Sequence, residues 1–468
     1  MLFADLFFLY AFLPACIILY FLTKNIAWRN GVLIVFSLIF YAWGEPLWII
    51  LMLFSVTANY FFGLLIDKWK GTSKAKLPVI FALVLSLGLL AVFKYSGFVV
   101  ENLNAILPVD IPVPNISLPI GISFYTFQII SYIMDAYWGK VKVQHNYARF
   151  LLYVSMFPQL VAGPIVRYSV VEQEMGCRKT TVEDLSAGIT RLATGLAKKV
   201  IIANNLSVIV DSFLGSANLS SMSVLGTWYG VILYAMQVYF DFSGYSDMAI
   251  GLGRIFGFHF DENFKYPFIC RNITEFWQRW HISLGSFFRD YLLYVPIFGK
   301  RRQYLSLFLV WFCTGLWHGA SWNFIIWGLY FGVFIFLERK VGNKRMRKIP
   351  SVIMHIYNKI VIILGFGIFY FTDMGRLGDF FKNLVGANGN IFIDQVTQTS
   401  FMNNLFLIIA AVVFCLPVVP KLREFVEKET ASLAVTGTAT VVCNISCLLV
   451  SSIMLVNATN NPFLYFRF

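Results

Sequence analysis

The chain has 468 residues, of which 58% are apolar and 18% aromatic, and its mean hydropathy is +0.71. Only 13% of the residues are charged, whereas soluble domains carry about a quarter, so the composition excludes an ordinary soluble protein and predicts a polytopic membrane protein. The net charge of +13 does not indicate nucleic acid, because the basic residues stand between apolar runs instead of forming a domain of their own.

Apolar runs follow one another along the chain, and each predicts a membrane-embedded helix. The first run lacks a basic flank before it and a small-residue cleavage site after it, so we interpret it as a helix and not as a cleavable signal peptide. With the longest run counted as two, we expect about 11 to 14 embedded helices, some re-entrant, in one integral-membrane domain covering residues 1–468. The runs are residues 6–22, 31–43, 47–66, 77–93, 116–134, 150–166, 224–240, 304–337, 360–371, 401–416 and 431–456, with partial segments at 185–210 and 282–295.

Basic residues are concentrated after alternate apolar runs. Lys and Arg near the ends of membrane segments favour the cytoplasmic side, so these loops are predicted to be cytoplasmic and the N-terminus to lie outside. Such a basic face suits anionic lipids or an anionic soluble donor. The residues are Lys24 and Arg29, then Lys68, Lys70, Lys74 and Lys76, then Lys140, Lys142 and Arg149, and finally Arg339, Lys340, Lys344, Arg345, Arg347 and Lys348.

Neither a metal centre nor a nucleotide-binding loop is indicated by the sequence. The seven cysteines are scattered mainly through apolar runs without a C-x-x-C pair, so we expect no disulfide framework and no thiolate metal site. A glycine-rich phosphate loop is also absent from the sequence.

Polar residues inside apolar runs are costly in a membrane, so each is a candidate functional residue. The first is Gln128, in residues 119–139, where a hydrogen bond between helices is as good an explanation as substrate binding. Residues 157–168 contain two prolines and a glycine, which predict a broken helix around Gln159 and Arg167. We expect this irregular backbone to be enclosed by protein, since lipid does not tolerate it.

A second group of polar residues lies in residues 237–254. Asp241 and Asp247 share this aromatic-rich segment. They are candidates for substrate binding, and pairing with Arg254 or Arg289 in a structural network is the equally good alternative.

Charges and aromatic rings alternate in residues 272–299, which include Arg279, His281 and Arg289. This mixture is typical of an amphipathic helix at the membrane interface. Anchoring alone does not explain why a Trp-His pair occurs at His281 and again at His318.

His318 lies in the middle of residues 304–337, a stretch without Asp, Glu, Lys or Arg. A continuous helix of that length would be about 51 Å long, whereas the hydrocarbon core of a bilayer is about 30 Å thick. The stretch must therefore break, and Gly315, Gly319 and Asn323 place the break around His318. The sequence thus predicts a histidine at a helix discontinuity inside a membrane.

Two histidines in a membrane have three common explanations: haem ligation, proton or ion movement, and general-base catalysis. A proton pathway normally contains intramembrane carboxylates, and the segment around His318 has none. A general base needs a neutral imidazole beside a hydroxyl, and desolvation keeps an imidazole neutral. Spacing alone does not choose among the three explanations.

Six segments, taken in order, resemble the successive motifs of the membrane-bound O-acyltransferase family. They are most similar to its bacterial branch that includes the alginate O-acetylation membrane protein. In this family the histidine of the WHG motif is regarded as catalytic, which corresponds to His318, and a second histidine in FWxRWHIS corresponds to His281. The segments are PIGISFYTFQIISYIMD, FPQLVAGPIVRY, YFDFSGYSDMAIGLGR, EFWQRWHISLGSFFRDYLLYVPIFG, WHGASWNFIIWGLYFG and the C-terminal NNPFLYFRF.

The resemblance implies a helical shell around a thinned membrane centre in a bacterial cell membrane. A central funnel or tunnel would let a cytoplasmic acyl thioester, such as acetyl-CoA, meet an acceptor from the other face, without a tightly bound cofactor. Members of this branch commonly work with an extracytoplasmic acetyltransferase of the SGNH-hydrolase type, which passes the acyl group to a polysaccharide. The alternatives are transfer of D-alanyl or another acyl group to a cell-wall polymer, and a solute transporter without bond-making chemistry.

The resemblance also implies roles for the residues around the two histidines. His318 would be the general base, while His281 would orient the donor or relay the proton. The tetrahedral oxyanion needs hydrogen-bond donors, for which Trp317, Asn323 and the backbone N–H groups at Gly319 are candidates.

A donor that carries phosphate groups needs cations where it binds. Arg279 and Arg289 are the candidates, because a guanidinium can hold phosphate through two hydrogen bonds. Pairing of either arginine with an acidic residue is the structural alternative. The remaining substrate-binding candidates are Asp241, Asp247 and Gln128.

Overall fold

The computed structural model describes residues 1–108, 110–161, 163–216, 219–294, 302–430, 433–456 and 463–464. For residues 423, 426–430 and 433–436 it describes the backbone only. In this part of the chain all regular secondary structure is helical and no strand occurs. The protein is therefore an all-α polytopic membrane protein, which confirms the fold class predicted from composition. Motif residues 295–299 and all of NNPFLYFRF except Phe463 and Leu464 lie outside the described residues.

The chain divides into two compact units. The first consists of Met1–Leu192 and Tyr245–Glu262, and the second of Ala193–Gly244 and Asn263–Phe468. A single domain over residues 1–468 stays a prediction.

The first unit opens with a π-helical turn at Phe8–Phe12, and a 3₁₀ turn at Ser73–Ala75 precedes its longest helix. Its helices are α1 (Leu13–Phe21), α2 (Ile26–Gly44), α3 (Trp48–Lys68), α4 (Lys76–Asn104), α5 (Ile122–Tyr137), α6 (Tyr147–Ser155), α7 (Phe157–Leu160), α8 (Tyr168–Gly176) and most of α9 (Val182–Ala197).

The second unit contains the π-helical turns Lys198–Ala203 and Arg289–Leu293 and the 3₁₀ turns Leu219–Ser221 and Pro267–Ile269. Its helices are α10 (Asn204–Phe213), the first two thirds of α11 (Val224–Ile255), α12 (Ile273–Arg279), α13 (Ile282–Phe288), α14 (Gln303–His318), α15 (Trp322–Val341), α16 (Asn343–Met346), α17 (Ser351–Tyr370), α18 (Met374–Leu384), α19 (Gln395–Asn403), α20 (Leu405–Phe414), α21 (Val418–Thr430) and α22 (Leu433–Val456).

Several helices begin after an Asn or Asp side chain that accepts hydrogen bonds from the first turn. Asn25 accepts from the backbone N–H groups of Ala27 and Trp28 ahead of α2, and Asn272 accepts from that of Glu275 ahead of α12. These residues satisfy donors that a helix cannot pair internally, so the local sequence determines where each helix starts.

Within the described residues, six helices are long and apolar enough to cross a membrane, and the pair Gln395–Asn403 and Leu405–Phe414, bent by 64°, would make a seventh. A helix of about 20 residues matches the ~30 Å thickness of the hydrocarbon core. The 11 to 14 membrane-embedded helices expected from the sequence include shorter and re-entrant helices, and that number stays a prediction. The six helices are Ile26–Gly44, Trp48–Lys68, Ser73–Asn104, Val182–Phe213, Ser351–Tyr370 and Gly437–Val456.

The predicted helix break in the first unit is confirmed. Helix α7 ends at Leu160 and α8 begins only at Tyr168, with a mostly buried irregular backbone between them. Gly121 begins α5 with a φ of +81°, and a Cβ there would lie 2.9 Å from the carbonyl oxygen of Leu160. Only glycine allows this backbone conformation and this close approach without strain.

Helices α14 and α15 pack backbone against backbone in the second unit. A Cβ on Gly315 of α14 would overlap the carbonyl oxygen of Phe324 on α15, and a Cβ on Gly328 would overlap the carbonyl oxygen of Trp311. Small residues that let two helices approach closely are typical of membrane interiors. This close pairing holds the α14–α15 connection, and therefore His318, within the aromatic core of the unit.

Candidate active site

The helix that carries His318 ends at that residue. Helix α14 stops at His318, Gly319 is extended with φ −178° and ψ 161°, and α15 starts at Trp322. The structure thus confirms the predicted discontinuity. The first turn of α15 presents N–H groups that have no partner within the helix, and the dipole gives this end partial positive charge.

His281 also lies at a helix break, which the sequence did not predict. The amphipathic pattern suggested one helix across this segment, but α12 ends at Arg279 and α13 begins at Ile282. The reason is the backbone of His281, which has a φ of +46° that a right-handed helix cannot contain. Positive φ is uncommon in residues other than glycine and is frequent at functional sites, where surrounding contacts must maintain it.

Hydrogen bonds to Asn263 maintain this conformation. The side-chain Oδ1 of Asn263 lies 3.1 Å from the backbone nitrogen of Ser283, 2.9 Å from its Oγ and 3.2 Å from Nδ1 of His281. The backbone N–H of Ser283 can only donate, so the amide atom that faces these groups is the oxygen. Nδ1 of His281 is therefore the nitrogen that carries the hydrogen of the neutral ring, and Nε2 has a lone pair that can accept a hydrogen bond.

Both imidazoles pack against the indole of Trp317. The ring centroid of Trp317 lies 5.5 Å from that of His281 and 4.8 Å from that of His318. The His281 side chain is 2% exposed, and the Trp317 side chain is equally buried. The two histidines are therefore parts of one site, although 37 positions separate them in the sequence.

Apolar rings surround the imidazole of His318. The centroids of Trp327 and Phe369 lie 4.8 Å and 5.1 Å from it, both with their ring planes nearly perpendicular to the imidazole. Asn323 fixes the position of Phe369, because its side-chain Nδ2 donates to the backbone carbonyls of Ile368 and Phe369 at 3.3 Å and 3.2 Å. Asn323, a candidate oxyanion donor, thus ties the start of α15 to the end of α17.

Glu338 holds the start of the helix that leads to His281. Its carboxylate accepts hydrogen bonds from the backbone N–H groups of Ile273 and Thr274 at 2.7 Å and 2.8 Å, and from the hydroxyls of Thr274 and Tyr357. It is 4% exposed. Sequence reasoning missed this residue, although an acidic side chain directly after a long uncharged run was an available signal.

Asp241 forms a buried ion pair with Lys199. Their Oδ1 and Nζ atoms are 2.5 Å apart, and both side chains are 4% exposed. The other oxygen of Asp241 accepts a hydrogen bond from the backbone N–H of Leu464 at 2.9 Å. Neither Arg254 nor Arg289, the partners suggested by sequence, forms this pair, and the role of Lys199 was missed because 42 residues separate it from Asp241.

The two candidate donor-binding arginines lie nearer the surface. Arg289 is half exposed and donates to the neighbouring Asp290 at 2.8 Å, and this hydrogen bond raises the pKa of its guanidinium. Arg279 pairs with Glu275 at 3.1 Å and donates to the backbone carbonyl of Lys265. A substitution of Arg279 would therefore also remove a hydrogen bond to the backbone.

Asp247 and Gln128 belong to the first unit. Asp247 pairs with Arg191, with 2.8 Å between Oδ1 of Asp247 and Nε of Arg191. Arg191 also contacts Glu262. Gln128 is fully buried, and its side-chain amide has no hydrogen-bond partner among the described residues. A substrate-binding role for these two residues stays a prediction.

The space beside His318 does not suit a haem. It is a cavity of about 40 Å³, whereas cofactor sites usually have ~300–1,000 Å³. Among the described residues, no group of three or more His, Cys, Asp and Glu side chains is arranged to hold a metal ion. The geometry therefore favours a base next to a small apolar space over bis-histidine ligation.

Comparison with known proteins gives a family match and several relatives. A family model described as MBOAT, membrane-bound O-acyltransferase family, matches residues 35–374. The chain is 39% identical to a probable alginate O-acetylase of Pseudomonas aeruginosa, over 79% of this chain and 72% of the relative. It is 30% identical to a peptidoglycan O-acetyltransferase of Helicobacter pylori, over 98% and 96%. A teichoic acid D-alanyltransferase of Bacillus subtilis is 34% identical, over 51% and 64%.

Proposed function

This chain belongs to the membrane-bound O-acyltransferase family and is an O-acyltransferase, and from that premise we propose that it moves an acetyl group from a cytoplasmic thioester, such as acetyl-CoA, to an extracytoplasmic acceptor. The acetyl group is used for O-acetylation of an envelope or secreted polysaccharide in bacteria. The names of the alginate and peptidoglycan relatives support this substrate class. The observation that carries the proposal is the imidazole of His318 at a helix break beside an apolar cavity.

In the proposed reaction His318 is the general base. It removes the proton of the acceptor hydroxyl while that oxygen attacks the thioester carbonyl. The new C–O bond then forms, the C–S bond breaks, and the thiolate leaves with the proton from the imidazolium. A general base must start the reaction uncharged, and burial among apolar rings disfavours the charged form of an imidazole, so the surroundings of His318 suit this role.

The helix break supplies hydrogen-bond donors for the oxyanion of the tetrahedral intermediate. Backbone N–H groups from Gly319 to Asn323 lie at the start of α15, where the helix dipole favours negative charge. Trp317 remains a side-chain candidate for the same oxyanion, whereas Asn323 could donate to it only by giving up a hydrogen bond to the carbonyl of Ile368 or Phe369. His281 positions this arrangement through its packing on Trp317, and the lone pair on its Nε2 can accept a hydrogen bond.

A direct test follows labelled acetyl groups in inverted membrane vesicles that contain the complete protein and its natural membrane partners. Radioactive acetyl-CoA added to the cytoplasmic face should label the envelope glycan, and deletion of the gene for this chain should abolish the label. Movement of a solute without loss of the thioester would support the transporter alternative. If the envelope polymer is labelled by a radioactive D-alanyl thioester and not by the acetyl thioester, the D-alanylation alternative is supported.

An extracytoplasmic acetyltransferase of the SGNH-hydrolase type is the proposed partner. In that case the hydroxyl that attacks the thioester beside His318 is not that of the glycan itself: this chain carries out the membrane-crossing step, and the partner completes the transfer to the glycan. Deletion of a neighbouring SGNH-type gene should then remove acetyl groups from the glycan while the level of this protein stays unchanged.

The proposed donor side requires a defined orientation in the membrane. Residues 342–349 contain Lys344, Arg345, Arg347 and Lys348 and should be cytoplasmic, whereas residues 375–400 should be outside. Single cysteines in each loop, treated with an impermeant maleimide in intact cells, report the side directly. We expect labelling only at 375–400.

The labelling experiment needs a suitable background and control. The exposed Cys177 and Cys443 are first replaced by Ser, since they would react themselves. Labelling of both loops after permeabilisation shows that each cysteine is accessible. If intact cells label residues 342–349 and not 375–400, the orientation is reversed.

Arg289 should contribute to donor binding more than to the chemical step. Because its guanidinium is half exposed and contacts the adjacent Asp290, it can hold a phosphate without first breaking buried contacts. Arg289→Ala should raise the apparent KM for acetyl-CoA with a smaller change in kcat, the pattern of an interaction present equally in ground and transition states. Arg279→Ala should have the same effect together with lower stability, since Arg279 also bonds to the backbone.

Asp290→Asn is the matched control for this measurement. This substitution keeps the guanidinium of Arg289 and removes the carboxylate charge that competes with the donor phosphate for it. The apparent KM for acetyl-CoA should therefore stay the same or fall. An unchanged KM in well-folded Arg279→Ala and Arg289→Ala proteins would exclude both arginines from the donor site.

A further inference from the structure

A small apolar cavity borders the imidazole of His318. Its volume is about 40 Å³, and apart from His318 and Asp241 the described side chains that line it are apolar. Val238 of α11, Trp327 of α15, Phe369 of α17 and Leu464 contribute to its wall. The cavity is thus too small for a sugar or a pantetheine arm, but it lies directly beside the proposed base.

A charged pair holds the C-terminal part of this wall in place. The backbone N–H of Leu464 donates to Oδ2 of Asp241, while Oδ1 of Asp241 contacts Nζ of Lys199. The same Nζ lies 4.7 Å from the ring centroid of Phe463. Leu464 is therefore fixed through its backbone, and its side chain forms part of the cavity wall.

The volume agrees with one short acyl group. A water molecule needs about 10–15 Å³ of such a cavity, so the available space corresponds to roughly three positions of that size. An acetyl group has three non-hydrogen atoms. Each further methylene would have to push rings or Leu464 aside, and overfilling a well-packed site is unfavourable.

The charges around the cavity distinguish between kinds of small acyl groups. A D-alanyl group carries an ammonium, which would need an acceptor after leaving water. The carboxylate that borders the cavity, Asp241, already pairs with Lys199 and with the N–H of Leu464. The cavity therefore suits an uncharged acyl group better than an aminoacyl group.

We propose that this cavity holds the whole transferred acyl group, methyl and carbonyl together, and restricts transfer to two carbons, with the side chain of Leu464 as the wall that sets the length. This inference rests on the proposed function, because it assumes that the acyl carbonyl lies beside His318. Asp241 and Lys199 act as positioning residues that hold Leu464 against the cavity.

Competition between two thioesters tests the acyl-length limit. Inverted vesicles receive equal amounts of acetyl-CoA and propionyl-CoA, and mass spectrometry measures the ratio of the two acyl groups on the glycan. The unchanged protein should favour acetyl by roughly 10–200-fold, the range for one methylene in an apolar pocket. Leu464→Ala widens the cavity and should lower that preference at least tenfold. A ratio does not depend on how much variant protein folds.

Two further variants keep the result interpretable. Val238→Ala widens the cavity on the side of α11 and should also lower the preference for acetyl over propionyl. It therefore tests the inference even if Leu464→Ala yields no protein. Leu449→Ala shortens an exposed leucine on α22 and should leave the ratio unchanged.

The failure of the inference differs from the failure of the proposed function. If the unchanged protein transfers acetyl but neither Leu464→Ala nor Val238→Ala shifts the ratio, the cavity does not bind the acyl group. If the unchanged protein transfers neither acyl group, the proposed function is wrong, and the inference falls with it.

Discussion

Replacement of His318 by Ala is expected to reduce acyl transfer by about 10²–10⁴-fold, the usual contribution of a general base. The imidazole lies at the end of α14 and borders a cavity, so its removal enlarges an existing space and leaves α14 and α15 paired through their glycines. Protein yield and thermal stability should therefore change little. The measurement is the rate of acetyl transfer to the glycan in vesicles, normalised to the amount of protein.

His145→Ala is the matched control for this substitution. That histidine is exposed and pairs with Asp67 in the first unit, an arrangement that contributes little to stability. Its replacement should leave acyl transfer unchanged. Normal transfer by a well-expressed His318→Ala protein would remove His318 from the mechanism.

Disruption of the Lys199–Asp241 pair should have the largest effect on stability. Both side chains are almost fully buried, so Asp241→Ala removes the carboxylate that faces the ammonium of Lys199 and accepts the N–H of Leu464. Loss of one partner of a buried ion pair typically costs about 3–5 kcal/mol. We expect a lower melting temperature of the protein in detergent, and slower acyl transfer with a smaller preference for acetyl over propionyl, because the wall of the cavity at Leu464 is no longer held.

A double variant and a less buried pair provide the controls. Lys199→Met with Asp241→Leu removes both charges, so it should recover much of the stability that Asp241→Ala loses. Asp290→Ala disrupts the pair with Arg289, which is much less buried than the Lys199–Asp241 pair, and should cost less than about 1 kcal/mol. Equal decreases in melting temperature for Asp241→Ala and Asp290→Ala would contradict the role assigned to the buried pair.

Recovered stability without recovered activity would be informative about Asp241. The double variant lacks the carboxylate that receives the N–H of Leu464. If it folds well but transfers acyl groups slowly, Asp241 is needed to position the cavity wall. If both properties return, the pair serves stability alone.

The sequence predicted the elements whose cause is local or is imposed by the membrane. The break at His318 follows from an uncharged stretch longer than a bilayer together with Gly315 and Gly319. The break between α7 and α8 follows from the prolines of FPQLVAGPIVRY in the same way. The all-α class follows from composition, since lipid requires every backbone N–H and C=O to be paired within helices.

The break at His281 shows the limit of pattern-based reasoning. Alternating aromatic and charged residues favour a helix, and nothing in the local sequence opposes it strongly. A positive φ at His281 is maintained instead by Asn263, eighteen positions earlier, through hydrogen bonds to His281 itself and to Ser283 at the start of α13. Tertiary contacts overrode a local preference that is worth little per residue.

By itself the sequence determined that this chain is an all-α membrane protein and that His318 lies at a discontinuity. Only the tertiary structure decided which side chains surround that histidine: the indole of Trp317 shared with His281, the ring of Phe369, and Leu464 held by Lys199 and Asp241. The physical reason is sequence separation. Helix ends depend on a few neighbouring residues, whereas packing and buried ion pairs depend on which distant segments share one core.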